Sequence, residues 1–376
     1  MASQRATRQS ARRLTPEAAV LGELSADVHR LSNGLTLVVR REPAAPVVAI
    51  VTRVEAGYFD EPDRVVGISH VLEHMVFKGT SRRGPGDLAR ETKAAGGQLN
   101  AGTIYDHTSY YTVLPASALE LGLDLHADAL MHSAIDEDEL RRELLVIIQE
   151  ANRKLDNPRA VTQESLYETM FDAHRIRRWR IGTEQVLSRL TRDDVMGFYR
   201  GMYRPSNVVL SVVGDVDADH AVDLVHRYYG GMPAGDRVGG RGPDEPPRRG
   251  FRLREIAGDI VRAHATWGWR TPGPLDPDRA LLDLLAAVLG EGRASRLYRE
   301  VREAGLVARI GVQNYTADAI GVLDIAAELE PADTEAALRA IAAVVERVRS
   351  SPVPAAELER AKNMIEAKLL RRLETS

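Results

Sequence analysis

The segment Gly67–Thr80, GISHVLEHMVFKGT, contains two histidines and a glutamate at helical spacing. His70 and His74 are four residues apart, so on an α-helix they share one face and their ring nitrogens can bind the same ion. Glu73 lies on the same side, where a carboxylate can take a proton from water without being a metal ligand. The segment therefore predicts a helix that carries part of a zinc site, although the spacing alone also fits a solvated helix face.

A catalytic zinc site needs a third protein ligand and one position left for water. We select Glu150, which lies near the end of a predicted helix over Glu137–Leu155. Glu143 lies two turns before Glu150 on roughly the same face, where it is placed to order the site or to assist proton transfer. Other side chains remain open as ligands: Asp63, Asp106 and His107. A further series of ionisable residues at helical spacing is interpreted as an exposed face with salt bridges: Asp124, Asp128 and His132.

The composition limits the chemistry that the chain can use. Its 376 residues fit two domains of ordinary size, and 44% hydrophobic residues can fill a sizeable core. The sequence contains no cysteine, which excludes disulfides, thiol catalysis and cysteine-rich zinc fingers. A metal must therefore be held by histidine and carboxylate side chains.

Charge and hydropathy predict neither a nucleic-acid nor a membrane partner. The formal net charge is −4, and no apolar run approaches the roughly 18 residues of a membrane span. The first residues, MASQRATRQSARRL, are basic and lack the apolar stretch of a secretory signal. We interpret residues 1–24 as a flexible tail and expect a cytoplasmic protein, with a mitochondrial transit peptide as the alternative.

The order of predicted elements indicates an α+β fold in two similar halves. A hairpin over His29–Arg41 is centred on Asn33-Gly34, which favours a two-residue turn. Residues 25–229 are predicted to form the metal-binding half, and 230–250, rich in Gly and Pro, a linker. Residues 251–376 repeat the strand and helix order coarsely and form the second half, which looks truncated at its end. The other predicted strands and helices are Val47–Val54, Gly67–Phe77, Asp87–Ala95, Gln98–Thr103, Thr108–Leu114, Ala116–Met131, Asn207–Val213, Val261–Trp269, Pro277–Leu289, Ser295–Ala304, a strand pair in Val307–Glu328, Ala332–Arg349 and Pro354–Leu373.

Several segments together resemble the pitrilysin-type inverzincin peptidases, in particular bacterial members similar to the β subunit of mitochondrial processing peptidase. The order His-x-x-Glu-His reverses the common zincin order. The resemblance covers the chain from about Val28 to its end. The segments that carry it are GISHVLEHMVFKGT (67–80), GGQLNAGTIYDHTSYYTVL (96–114), ELLVIIQEANRKLDNP (143–158), YRPSNVVLSVVGDVD (203–217) and GEGRASRLYREVREAGL (290–306).

The resemblance implies a zinc endopeptidase with one Zn²⁺ per chain. Its ligands are His70, His74 and Glu150, Glu73 is the base, and Glu143 is a supporting carboxylate. An edge strand would pair with an extended peptide substrate through Asn100, Ala101 and Thr103. The family fold has two α/β-roll halves, mostly antiparallel sheet covered by helices, that close like a clamshell. A homodimer, or a heterodimer with a related subunit, is also implied.

The second half departs from the family pattern at one position. An Arg and a Tyr of that half usually steady the substrate, and Arg302 matches the Arg. Ala308 stands where the Tyr is expected, and Tyr315 is a remote substitute. A missing oxyanion donor typically costs about 10²–10³ in rate. The alternative function is therefore a weak or inactive binding and assembly subunit of a heteromeric peptidase.

Overall fold

The computed structural model describes residues 26–240, 242–247 and 250–374, so the predicted tail over residues 1–24 lies outside the described residues. The described chain divides into two compact units. The first comprises the chain up to Ala151 together with Trp179–Gly240, and the second comprises Asn152–Arg178 and the residues after Gly240. Strands and helices are mixed in both, which confirms the predicted α+β class.

The first unit contains a six-stranded sheet with the order β1-β2-β6-β3-β5-β4. Neighbouring strands are antiparallel except for the parallel pair β2 and β6. The strand β4 lies at one edge of the sheet. The strands are β1 (Asp27–Arg30), β2 (Thr36–Arg41), β3 (Val47–Val54), β4 (Gln98–Thr103), β5 (Thr108–Pro115) and β6 (Val208–Gly214).

The helices pack against the sheets. Their apolar faces join the strands in a continuous core in the first unit, as expected for an amphipathic helix on a sheet. The helices are α1 (Ile68–Val76), α2 (Asp87–Ala94), α3 (Leu119–His132), α4 (Glu137–Leu155), α5 (Pro158–Met170), α6 (Glu184–Leu187), α7 (Arg192–Met202), α8 (Ala218–Tyr229), α9 (Asp278–Gly290), α10 (Thr334–Ser350) and α11 (Ala355–Glu374). Among the described residues, no helix is both long and apolar enough to cross a bilayer.

The predicted hairpin forms, but its connection is longer than the predicted two-residue turn. Strand pairing ends at Arg30 and Thr36, so five residues separate the strands. Asn33 is pulled inward, where its Nδ2 donates to the Tyr229 carbonyl at 2.9 Å. Gly34 has φ of 100°, a conformation that favours glycine. A contact with a residue distant in sequence therefore sets the length of this turn.

The second unit contains an antiparallel three-stranded sheet with the order β7-β9-β8. The strands are β7 (Ala263–Pro272), β8 (Arg309–Ala317) and β9 (Ile320–Leu329). The predicted helix over Ser295–Ala304 is replaced by a π-helical turn at Tyr298–Arg302. Buried residues of this sheet pack with α10 in a separate core that includes Ile325, Leu329 and Ile341.

The division between the units differs from the predicted boundary at residue 229, because Asn152–Arg178 belongs to the second unit. Helix α5 packs on β7, where a Cβ on Gly268 would lie 2.6 Å from the Met170 sulfur and 2.8 Å from a Leu166 methyl. Gln163 Nε2 also donates to the Asp324 carboxylate at 3.3 Å. These contacts join residues about 100 or more positions apart, which local sequence patterns do not reveal.

The predicted linker contains no helix or strand among its described residues after Tyr229. One of its residues is nevertheless fixed in place. Glu245 accepts the backbone N–H groups of Asp172, Ala173 and His174 at 2.8 to 2.9 Å. Its carboxylate also pairs with Arg270 at 2.7 Å, so this part of the linker is attached to the second unit.

The interpretation of Asp124, Asp128 and His132 as an exposed face was wrong for the two aspartates, whereas His132 is exposed and the predicted salt bridges are present. Asp128 is buried, and its side chain accepts from Arg83 at 2.8 Å and from Thr80 at 2.8 Å. Asp124 binds the same guanidinium at 2.5 Å. The carboxylates face inward because they anchor the loop that follows α1.

Candidate metal centre

Helix α1 presents both histidines on the face opposite its core contacts. Its buried residues include Ile68, Leu72 and Met75, which leaves His70, Glu73 and His74 on the side away from the core. The helix begins after Gly67, whose φ is 96°. A Cβ at Gly67 would lie 2.6 Å from the Ile181 carbonyl oxygen, so glycine permits this close start.

The two imidazoles face each other through their Nε2 atoms. These atoms are 3.3 Å apart, and the ring planes meet at 76°. Two nitrogens bound to one tetrahedral Zn²⁺ at about 2.0–2.1 Å would lie about 3.3 Å apart. The histidine pair therefore has the separation that a shared zinc ion requires.

Glu150 on α4 completes a group of three metal-ligating side chains. One donor atom from each of His70, His74 and Glu150 lies within 4.8 Å of the other two, and all three residues are half-buried. This confirms that the three predicted ligands lie together. Within the described parts of the chain, the alternatives Asp63, Asp106 and His107 belong to no such group. Asp106 instead pairs with His107 at 2.6 Å.

Glu143 binds the outer nitrogen of His74. Its Oε1 lies 2.8 Å from His74 Nδ1, and its Oε2 lies 2.5 Å from Lys78 Nζ. Burial raises the pKa of the Glu143 carboxyl, but the hydrogen bonds from Lys78 and His74 outweigh burial and lower it overall. An ionised Glu143 keeps the proton of His74 on Nδ1, so the Nε2 lone pair is free to bind a metal.

Glu73 lies beside the ligands without belonging to their group. Its Oε2 accepts a hydrogen bond from Thr103 Oγ1 at 2.5 Å. Burial raises the pKa of the Glu73 carboxyl above its ordinary value, while the Thr103 hydrogen bond and His74 partly oppose the rise. A carboxylate with a raised pKa is a better proton acceptor near neutral pH.

The predicted substrate-pairing residues lie on β4, the edge strand beside the metal centre. Asn100 is exposed, and its Oδ1 accepts the backbone N–H of Ala101 at 2.8 Å. Thr103 is half-buried, and its hydroxyl contacts Glu73. The edge position of β4 is compatible with pairing to a further strand.

The second-half residues singled out by the family resemblance lie in the second unit: Arg302, Ala308 and Tyr315. Arg302 ends the π-helical turn, with its guanidinium 5.0 Å from the centre of the Tyr298 ring. The Ala308 N–H donates to the Glu328 carbonyl at 2.8 Å just before β8, and Tyr315 lies within β8. The substrate-steadying role of Arg302 stays a prediction.

Sequence reasoning missed two residues of this centre. Lys78 lies two residues after the end of α1, where its Nζ contacts Glu143, so helical spacing from His74 did not identify it. Glu61 precedes the helix, and its carboxylate accepts the Gly67 and Ser69 N–H groups. No periodic pattern identifies Glu61, because it lies outside any regular element.

Comparison with known protein families identifies the class of protein that this fold and centre define. Residues 36–184 match the family described as insulinase (peptidase family M16), and residues 189–365 match the peptidase M16 inactive domain. The first match contains the complete His-His-Glu group. The chain belongs to the peptidase M16 family, which confirms the pitrilysin-type resemblance.

Individual relatives agree with this assignment. An uncharacterized zinc protease of Mycobacterium tuberculosis is 33% identical over 355 residues, covering 92% of this chain and 80% of the relative. A Bacillus subtilis protein, also named an uncharacterized zinc protease, is 28% identical, with 92% of this chain and 83% of the relative covered.

Solved structures share the fold. A protease from Helicobacter pylori has a TM-score of 0.89 and 26% identity, covering 94% of this chain and 86% of the other. A peptidase M16 inactive domain from Pseudomonas fluorescens has a TM-score of 0.82, 18% identity and coverage of 93% and 86%. Because its identity is low, the second likeness concerns the fold alone.

Proposed function

We propose that this protein is a zinc-dependent endopeptidase. His70, His74 and Glu150 would hold one Zn²⁺ per chain, and Glu73 would be the general base. The observation that carries the proposal is the meeting of the three donors within 4.8 Å beside a carboxylate that is not one of them. The donor set, two imidazoles and one carboxylate, is that of catalytic zinc sites with one position open to water.

The chain's own residues account for the proton transfers. A Zn²⁺ held by these ligands would supply Lewis acidity for the activation of water and the polarisation of the substrate carbonyl. Glu73, held by Thr103, accepts the proton of the attacking water and returns it to the leaving amine nitrogen. Glu143 orients His74 through Nδ1, which supports a role in positioning. Assistance by Glu143 in proton transfer stays a prediction.

The proposed substrate is an unfolded or short peptide that pairs with β4. An extended peptide added at an edge strand is bound mainly through its backbone, so side-chain sequence contributes less to recognition. The Ala101 N–H would exchange its bond with Asn100 for one with the substrate. This arrangement favours flexible chains, because a folded protein seldom offers a free extended segment.

Metal content and peptide cleavage together test this proposal. We expect the purified protein to contain one zinc per chain and to cleave a peptide library. Glu73→Gln should retain zinc and lose at least about 10²-fold in kcat, whereas His70→Ala should lose zinc. Unchanged zinc content in His70→Ala would refute the ligand assignment, and full activity in Glu73→Gln would refute the role of the base.

A second candidate is a weak or inactive subunit that acts with a related chain. Ala308, which has no hydroxyl where the family resemblance implies a tyrosine, favours it. Assays of the chain alone and mixed with a related subunit separate the two functions. Cleavage by the chain alone supports the endopeptidase, while cleavage only in the mixture supports the subunit.

A further inference from the structure

A buried carboxylate fixes the start of the helix that carries both histidines. The Glu61 side chain is 0% exposed. Its Oε2 accepts the Gly67 N–H at 2.9 Å, and its Oε1 accepts the Ser69 N–H at 2.9 Å. Both oxygens therefore bind the backbone at the first turn of α1.

The Glu61 carboxylate takes the place of an N-cap side chain, which α1 lacks. The first N–H groups of an α-helix lack partners within the helix and usually bond to the side chain of the N-cap residue. The N-cap of α1 is Gly67, which has no side chain and makes no such bond. A charged acceptor at this end also interacts favourably with the helix dipole and forms stronger hydrogen bonds than a neutral one.

The start of α1 is held from a second direction as well. A Cβ at Gly67 would lie 2.6 Å from the Ile181 carbonyl oxygen, and a Cβ at Gly182 would lie 2.6 Å from the Val66 carbonyl oxygen. These close backbone approaches and the two bonds to Glu61 leave α1 little freedom to shift along its axis or to rotate.

The position of α1 determines whether the metal ligands can meet. His70 directly follows Ser69, whereas Glu150 comes from a different helix, α4. A metal site requires its ligands to be held within about 0.5 Å of the binding geometry. We propose that Glu61 is a positioning residue of the metal centre, which sets α1 so that His70 and His74 face Glu150. This inference rests on the zinc site of the proposed function.

Substitutions at Glu61 test this role without relying on activity. Glutamine has one acceptor oxygen, so Glu61→Gln would place an NH₂ group against one of the two N–H donors. We expect the zinc dissociation constant of the folded variant to rise about 10-fold, the lower range for residues that orient metal ligands. We also expect an altered visible absorption spectrum for the Co²⁺-substituted variant. Glu61→Asp, which keeps the charge on a shorter side chain, should give an intermediate change.

Asp217→Ala provides a control at another helix start. Asp217 is the N-cap of α8, where its carboxylate accepts the His220 N–H at 2.8 Å. This variant should lose some stability but keep the wild-type zinc affinity and Co²⁺ spectrum. The comparison therefore separates loss of a helix cap in general from loss of the cap on α1.

The inference is overturned if Glu61→Gln, folded by circular dichroism, keeps the wild-type zinc affinity and Co²⁺ spectrum. If that variant does not fold, Glu61→Asp decides, and wild-type values for it overturn the inference. If the wild-type protein binds no zinc, the proposed function itself fails, and this result is distinguishable from a failure confined to Glu61.

Discussion

The Nδ1 atom of His74 lies 2.8 Å from the Oε1 atom of Glu143, whose other oxygen lies 2.5 Å from Lys78 Nζ. The carboxylate therefore contacts the ring nitrogen that faces away from the metal-ligating group. A histidine bound in this way presents the Nε2 lone pair in a fixed direction. The role of Glu143 follows from this contact and leads to the first prediction.

Glu143→Gln should weaken zinc binding by about 10- to 100-fold, because the amide is a weaker partner for the His74 N–H. Competition with a chelator measures the dissociation constant. Glu137→Gln is the matched control, since Glu137 lies on the same helix with a side chain that is 75% exposed. Equal affinities for the two variants would exclude the proposed effect on His74.

Thr103→Val should lower kcat by about 10- to 100-fold with unchanged zinc content, because the isosteric valine no longer donates to Glu73 and the base loses its orientation. Thr103→Ser keeps the hydroxyl and should recover most of the activity. Steady-state kinetics on one peptide substrate provide the comparison. If valine and serine at this position give equal kcat values, the hydroxyl does not hold the base.

The local elements of the metal centre could be predicted from sequence because short-range patterns determine them. Strand β3 and helix α4 have the predicted bounds, since alternating burial and helical periodicity are complete within Val47–Val54 and Glu137–Leu155. The His70 and His74 spacing likewise lies within one helix. Glu150 was one of several candidate ligands on the sequence pattern alone, and the family resemblance then singled it out, because the two helices are far apart in sequence.

The remaining features depend on contacts that local patterns do not encode. Asn33 reaches Tyr229 across 196 positions, which lengthens the first turn. Helix α5 joins the second unit by packing on β7. Asp128 looked like a solvated residue, but it turns inward to bind Arg83. In each case the partner is too distant in sequence for periodicity to identify it.

The buried ion pair between Arg83 and Asp128 should matter more for stability than an exposed pair. The Asp128 side chain is 0% exposed, so Asp128→Asn leaves the Arg83 charge buried with fewer partners. We expect the free energy of unfolding to fall by about 3–5 kcal/mol. Asp138→Asn, in an exposed pair with Arg141, should cost at most about 1 kcal/mol. Denaturant unfolding measures the loss of unfolding free energy in both variants. Similar losses would show that the buried Arg83–Asp128 pair contributes no more than the exposed pair.

His126 should make the protein less stable at acid pH. Burial lowers the pKa of its imidazole from 6.5 to about 4, and Thr52 and Thr112 bond its two nitrogens at 2.9 and 2.6 Å. The unfolded chain therefore takes up a proton between pH 6.5 and 4 while the folded protein does not, so stability falls as the pH falls through this window. The full loss is about 3 kcal/mol.

His126→Gln removes this titration while keeping hydrogen-bonding groups near both threonines. Unfolding free energies of the wild type and the variant, measured from pH 7 to pH 4, isolate the histidine contribution from that of the carboxylates. The advantage of the wild type should shrink as the pH falls. A constant difference over the whole range would show that His126 does not titrate as described.

Diffraction data collected on either side of the zinc absorption edge, from crystals of the protein purified with zinc, test the central claim most directly. The account predicts one anomalous peak per chain, bonded to His70 Nε2, His74 Nε2 and a Glu150 carboxylate oxygen, with Glu73 outside the coordination sphere. A peak at other residues, or a zinc ion bonded to Glu73 in place of Glu150, would contradict it.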